Sequence, residues 1–389
     1  MKPNPIRPGW RAVAIVFALA AVGPTGATAQ VGATVRAATL FESYSFDDGL
    51  GYSSLSEFST PVVIDFDLGD RYDFLVSSGF ARVSAESENG GRDISVSGPL
   101  DTEARLTVEL LPSRLSLLVT GTIPTGTTEV DTNAGAALGL IASEVLDFSI
   151  VRLGSGGGIG AGLVGAIPVG NFALGAAASI GTGTEYTPVE GGLDYRPGSE
   201  LRFRLGVEGP VGRTSYLRLA AVTSRRSEVE LGGEVQGEPG LETSLYATLQ
   251  QGLGASTLSV YAFGSMRSEP IIEPSALGIV VLPEARIFVT GARWTLNVRD
   301  RDRLMPRVEF RLSDAVPPPA GGFTGTSGDF QRLGTTLRLG ADYRLRATPD
   351  VSVVFQADGL TGQIGTLGSS GTLPDVSGFR GGIQLEWRR

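Results

Sequence analysis

Over residues 332–346 (RLGTTLRLGADYRLR) apolar and polar positions alternate with a period of two. Leu333, Thr335, Leu337, Leu339, Ala341, Tyr343 and Leu345 share one face. Arg332, Gly334, Thr336, Arg338, Gly340, Asp342, Arg344 and Arg346 share the other. Neighbouring side chains of a strand point to opposite sides, so the stretch predicts a strand with one apolar and one strongly polar face. Strands of globular sheets run to roughly five or six residues, whereas a tilted strand needs about nine to eleven to cross a bilayer. The alternation recurs at 304–313, 201–208, 103–110 and 241–250.

Extended along the chain, the pattern predicts strands near 33–46, 54–68, 70–86, 100–111, 114–125, 158–168, 171–184, 199–210, 214–228, 240–252, 256–269, 285–298, 303–314, 330–346, 350–363 and 376–387. Short connections, such as Gly69-Asp70, Pro112-Ser113 and Val169-Gly170, alternate with long ones at 47–53, 87–99, 126–157, 185–198, 229–239, 270–284, 315–329 and 364–375. Short turns at one end and long loops at the other are the mark of a transmembrane antiparallel up-and-down β-barrel, here of about 16 strands, with 14 or 18 as alternatives. A secreted β-sandwich or β-helix would explain the alternation but not the two classes of connection. No solenoid repeat and no dividing linker is visible.

The first residues set a compartment. Lys2, Arg7 and Arg11 precede a short apolar run at 12–22, Gly23-Pro24 breaks it, and Ala27-Thr28-Ala29 supplies small residues. The spacing predicts a signal peptide over 1–29, too short to span a bilayer, and a barrel over 30–389. Beyond Ala29 every cation is arginine, 29 of them against 41 acids, a net charge of −12. Such an acidic chain is a poor nucleic-acid partner. Cysteine and histidine are both absent. Thiolate chemistry, the commonest general base and the commonest nitrogen ligand of metals go with them, so no enzyme and no cofactor is expected. The glycine run 154–162 lacks a P-loop lysine, and Asp300-Arg301-Asp302 offers too few oxygens for calcium.

Residues 380–387 (RGGIQLEW) resemble the C-terminal assembly signal of Gram-negative outer-membrane barrels, with Arg380, Gly382, Leu385 and Trp387 in the signal's positions. The resemblance implies the barrel assembly machinery as a partner, outer-membrane lipid as surroundings and export to the cell outer membrane. Arg388 and Arg389 depart from it, because the signal usually ends on its aromatic residue. Trp387 also suits a simple interfacial anchor.

A ring of about sixteen strands is too wide for its own side chains to fill and leaves an aqueous channel. The longest connection, 126–157, carries Leu138, Ile141, Val145 and Phe148 at helical spacing, with Ser143 as the expected N-cap. The chain resembles the general porins in architecture, and that resemblance implies that this loop folds into the lumen and narrows it. Packing on the outer rim or against a neighbouring subunit is the alternative. An inward loop would bring Glu129, Asp131, Glu144 and Asp147 towards polar-face Arg204, Arg218, Arg293, Arg307, Arg311, Arg332 and Arg338. Acid facing fixed arginine would create a transverse field. The alternative is that these arginines pair locally with Glu208, Glu309 and Asp342. The porin resemblance implies passive diffusion of small polar solutes and a homo-oligomer, a trimer in that family. A carrier of hydrophobic compounds, like the long-chain fatty-acid channels, and a structural or adhesion barrel are the other readings.

Overall fold

The computed structural model describes residues 31–272, 282–299, 301–316, 329–365 and 373–389. The expected signal peptide, Asp300, and parts of the connections 270–284, 315–329 and 364–375 lie outside the described residues. Sixteen long strands close on themselves. They are β1 (Val31–Phe46), β2 (Tyr52–Ser59, resuming as Val62–Leu68), β3 (Tyr72–Ser78, resuming as Phe80–Ser87), β4 (Ile94–Pro99, resuming as Thr102–Leu111) and β5 (Leu115–Ile123). There follow β6 (Gly158–Val169), β7 (Phe172–Gly183), β8 (Glu200–Pro210), β9 (Ser215–Arg226), β10 (Glu242–Leu253) and β11 (Ser256–Arg267). The ring is completed by β12 (Ala285–Asn297), β13 (Arg303–Ala315), β14 (Gln331–Arg346), β15 (Val351–Ile364) and β16 (Asp375–Arg388). Each pairs antiparallel with its chain neighbour, and β16 pairs β1 from Thr34↔Arg388 to Phe46↔Val376. Closure of the ring removes the free edges that an open sheet of these strands would offer to a foreign chain.

The side-chain alternation decides what faces where. Leu205 (65% exposed), Ile159 (64%), Leu339 (55%) and Ile383 (53%) point away from the ring. Arg338, Asp342 and Asp358, of opposite parity, are buried within it. An apolar outer band around a polar interior suits lipid outside and water inside.

Two features depart from the sequence reading. The expected connection 87–99 is shorter, because β4 already begins at Ile94. In addition β2, β3 and β4 are each interrupted at one height, at Thr60-Pro61, Gly79 and Leu100-Asp101. Pro61 has no N–H to give the ladder. The Thr60 and Leu100 amides instead donate to Phe80 and Gly79 carbonyls at 2.8 and 2.9 Å, so the three strands bend together. A Cβ on Gly79 would lie 2.9 Å from the Thr60 oxygen.

Among the long connections, Tyr195–Arg196, Val229–Leu231, Glu234–Glu238 and Ile271–Ile272 form a small antiparallel sheet that the sequence did not suggest. In 126–157 a helix, α1, spans Thr132–Ile141. It ends before Ser143, which is therefore not its N-cap. The backbone turns back after the helix, with Asp147 at φ +54°. Val145 and Phe148 keep a helical spacing, yet they are set by packing rather than by helix: both are buried, with Ile141 and Leu146, against Tyr44, Leu55 and Val83 of the wall.

Candidate functional site: the lumen and its inner loop

The loop 126–157 is held to the inward face of β1, β2, β13, β14 and β16 by its own backbone. Ser149 N–H donates to Glu42 Oε1 at 2.9 Å, and Ile150 N–H to Glu57 Oε1 at 3.2 Å. From the other side of the seam, Arg338 donates to the Leu146 carbonyl at 2.7 Å and Thr336 Oγ1 to that of Val145 at 3.2 Å. Arg311 reaches the Glu144 carbonyl at 3.0 Å. At the loop's base Asp101 accepts from Gly126 and Ser155 N–H at 2.9 and 2.7 Å, beside the bend of β4. Buried backbone polar groups need partners, and these charged side chains provide them for a segment without regular structure.

Asp147 is the centre of the arrangement. Its carboxylate lies 2.8 Å from Arg311, 3.0 Å from Arg338 and 3.9 Å from Arg380. Arg380 also pairs with the fully buried Glu42 at 2.8 Å and donates to the Asp147 carbonyl. Tyr44 donates to Glu42 at 3.1 Å and packs edge-on against Phe148, centroids 4.9 Å apart. Glu42 and Glu57 stand directly opposite each other across β1 and β2. None of Glu42, Tyr44 and Glu57 stood out in the sequence. Their only signal was polar parity on the first two strands, and it acquires meaning through the cross-strand register.

The predicted lining residues divide into groups. Arg218 pairs with Glu208 at 2.6 Å, Arg311 with Glu309 at 2.7 Å, and Arg307 with Asp342 at 3.1 Å and with Asp358. Arg293 also pairs with Asp342. Arg204 points inward, is exposed, and has no ion-pair partner among the described residues. Arg332 leaves the set: a bulge between Ser313 and Asp314 places it opposite Asp314, on the face of Arg286. Arg286 has the parity of outward Phe288, so this cluster faces out, with the Arg286 guanidinium 4.2 Å from the Phe330 ring centroid. Asp147 does not face an arginine wall across the lumen: it is matched by the arginines of the wall it rests on, the local pairing that was the alternative reading.

Glu144 remains on the open side of the loop. Its carboxyl is raised above the usual range, first because surrounding protein strips its water although part of its surface stays open. Arg267 opposes the rise, Glu242 adds to it and Arg311 opposes it. Across from the loop, the inward residues of β6 and β7 include Gly160, Gly162, Gly175, Ala177 and Ser179, which occupy little of the lumen. Next to them β8 and β9 carry Arg202, Arg204, Arg218 and Arg226 inward.

Fold and site together define a transmembrane, porin-like β-barrel with an internal loop. No protein-family model matches the chain, and no curated protein matches it in sequence. Solved structures similar to it include OpdQ of Pseudomonas aeruginosa (12% identity, 92% of this chain and 98% of that one, TM-score 0.47). OmpT of Vibrio cholerae (12%, 94% and 99%, TM-score 0.43) and OccAB3 of Acinetobacter baumannii (9%, 92% and 100%, TM-score 0.44) are similar at the same distance. Likenesses this remote are silent on cargo and mechanism.

Proposed function

We propose that the chain is an outer-membrane channel for passive diffusion of small polar solutes, narrowed by 126–157. The observation that carries this reading is the division of the interior. On one side a loop is bonded to Glu42, Glu57, Arg311, Arg338 and Arg380, and the opposite wall is lined by glycine, alanine and inward arginines. A polar wall favours hydrated solutes over apolar ones, against a carrier of hydrophobic compounds. Export through residues 1–29, assembly through Arg380, Gly382, Leu385 and Trp387 of β16, and a homo-oligomer belong to the same proposal. The apolar outer band and the aromatic Trp387 near the short-turn end suit a lipid boundary.

The test is reconstitution of the purified protein into a planar bilayer. Stepwise, ion-selective conductance is expected. Insertion without current would refute the channel reading and leave a structural role.

A further inference from the structure

At the short-turn end of the lumen, the β12–β13 and β14–β15 turns and the end of β16 surround a cavity of about 720 Å³. Six guanidinium groups line it, from Arg299, Arg301, Arg303, Arg344, Arg346 and Arg388, against the carboxylates of Asp350 and Glu386. Glu386 is already shared between Arg388 at 2.6 Å and Arg344 at 3.3 Å. Arg346 donates to the Pro349 carbonyl at 2.9 Å. Among the described residues Arg299, Arg301 and Arg303 have no ion-pair partner. The chain as a whole carries a net charge of −9, so this excess of cations is a property of the place and not of the composition.

A second observation comes from beneath the mouth. A neighbouring cavity of about 310 Å³ shares Arg303 and Arg344 and adds Arg293 with its ion-pair partner Asp342. The Nε atoms of Arg344 and Arg293 are both buried with no hydrogen-bond partner. Buried donors without acceptors are uncommon in a folded protein, and the two arginines that carry them both line the smaller cavity. Guanidinium groups present paired N–H donors in a fixed fork that matches the oxygens of phosphate or carboxylate. A volume of this size is in the range of small-molecule sites, roughly 300–1,000 Å³.

We infer that this mouth is a binding site for a small multivalent oxyanion, a solute carrying two or more phosphate or carboxylate groups. Among the described lining residues six arginines face two carboxylates, so a single monovalent ion would leave most of the charge unmatched, whereas a polyanion spans it. The site rests on the channel reading, because a solute that crosses the lumen passes this mouth. It lies apart from the loop contacts, at the opposite end of the Arg307–Asp342 cluster.

Inorganic pyrophosphate is the probe. Titrated calorimetrically into the full-length barrel in detergent at low ionic strength, it is expected to bind saturably, one per chain. The double substitution Arg299→Gln and Arg303→Gln, one in the β12–β13 turn and one at the first residue of β13, is expected to weaken binding at least tenfold. Heat-modifiable gel mobility equal to that of the parent shows that the variant barrel is folded. Absence of saturable binding, or equal binding by the folded variant, overturns the site. In a planar bilayer, pyrophosphate is expected to reduce the current of the parent and not of the variant. A protein that conducts but does not bind keeps the channel and loses the site; one that binds but does not conduct keeps the site and loses the channel.

Discussion

Asp147 gathers three arginines from three different strands, of which Arg338 is buried and Arg380 largely so. Removing one member of a buried charge group leaves the rest without compensation, a loss on the order of 3–5 kcal/mol. Arg338→Ala is therefore expected to lower the urea midpoint of the micelle-bound protein and to raise single-channel conductance as the loop loosens. Unchanged conductance would place the loop elsewhere. Glu144 gives a pH dependence with a definite sign. Its raised carboxyl takes up a proton before ordinary carboxylates do as pH falls, so the lumen loses a negative charge early. Reversal potentials are expected to move towards anion preference above the usual carboxylate range, and Glu144→Gln to abolish that early step. Arg204, inward and without an ion pair among the described residues, is expected to give the opposite shift: Arg204→Gln moves selectivity towards cations. Arg218→Gln, whose partner Glu208 is left unmatched, moves it the same way.

At the scale of elements, α1 is a short helix with glycines at 135 and 139, and its place is secured by packing of Ala137, Leu140 and Ile141 rather than by propensity. A methyl group at Gly139 would meet nothing within 4 Å. Gly139→Ala is thus expected to stabilise the protein by about 0.5–1 kcal/mol in urea titration, by reducing the freedom of the unfolded chain, with conductance unchanged. The strands were legible because period two over ten or more residues leaves few alternatives: β14 was read at 330–346 and observed at Gln331–Arg346. The inner contacts were not legible for a physical reason. Arg338 meets Leu146 and Asp147 across more than 190 residues of chain, and nothing local in the sequence encodes such a meeting. Ser143 misled because the apolar spacing of Leu138, Ile141, Val145 and Phe148 continues through a turn that only mimics a helix in its period. Arg332 misled because one extra residue in a ladder reverses facing, and a bulge leaves no mark in the alternation itself.

The whole molecule inverts the usual arrangement of a soluble protein. Its large apolar side chains stand outward on a closed ring, and the principal buried cluster is the contact between wall and loop. Stability then depends on the solvent meeting each face, lipid outside and water within. The chain contains no cysteine, so single cysteines can be introduced one at a time along β8 and carry spin labels in liposomes. Labels at 201, 203, 205 and 207 are expected to be accessible to oxygen dissolved in lipid and shielded from an aqueous nickel chelate, and labels at 202, 204, 206 and 208 the reverse. Equal nickel access on both faces, or accessibility without a period of two, would contradict a lipid-embedded ring around an aqueous lumen.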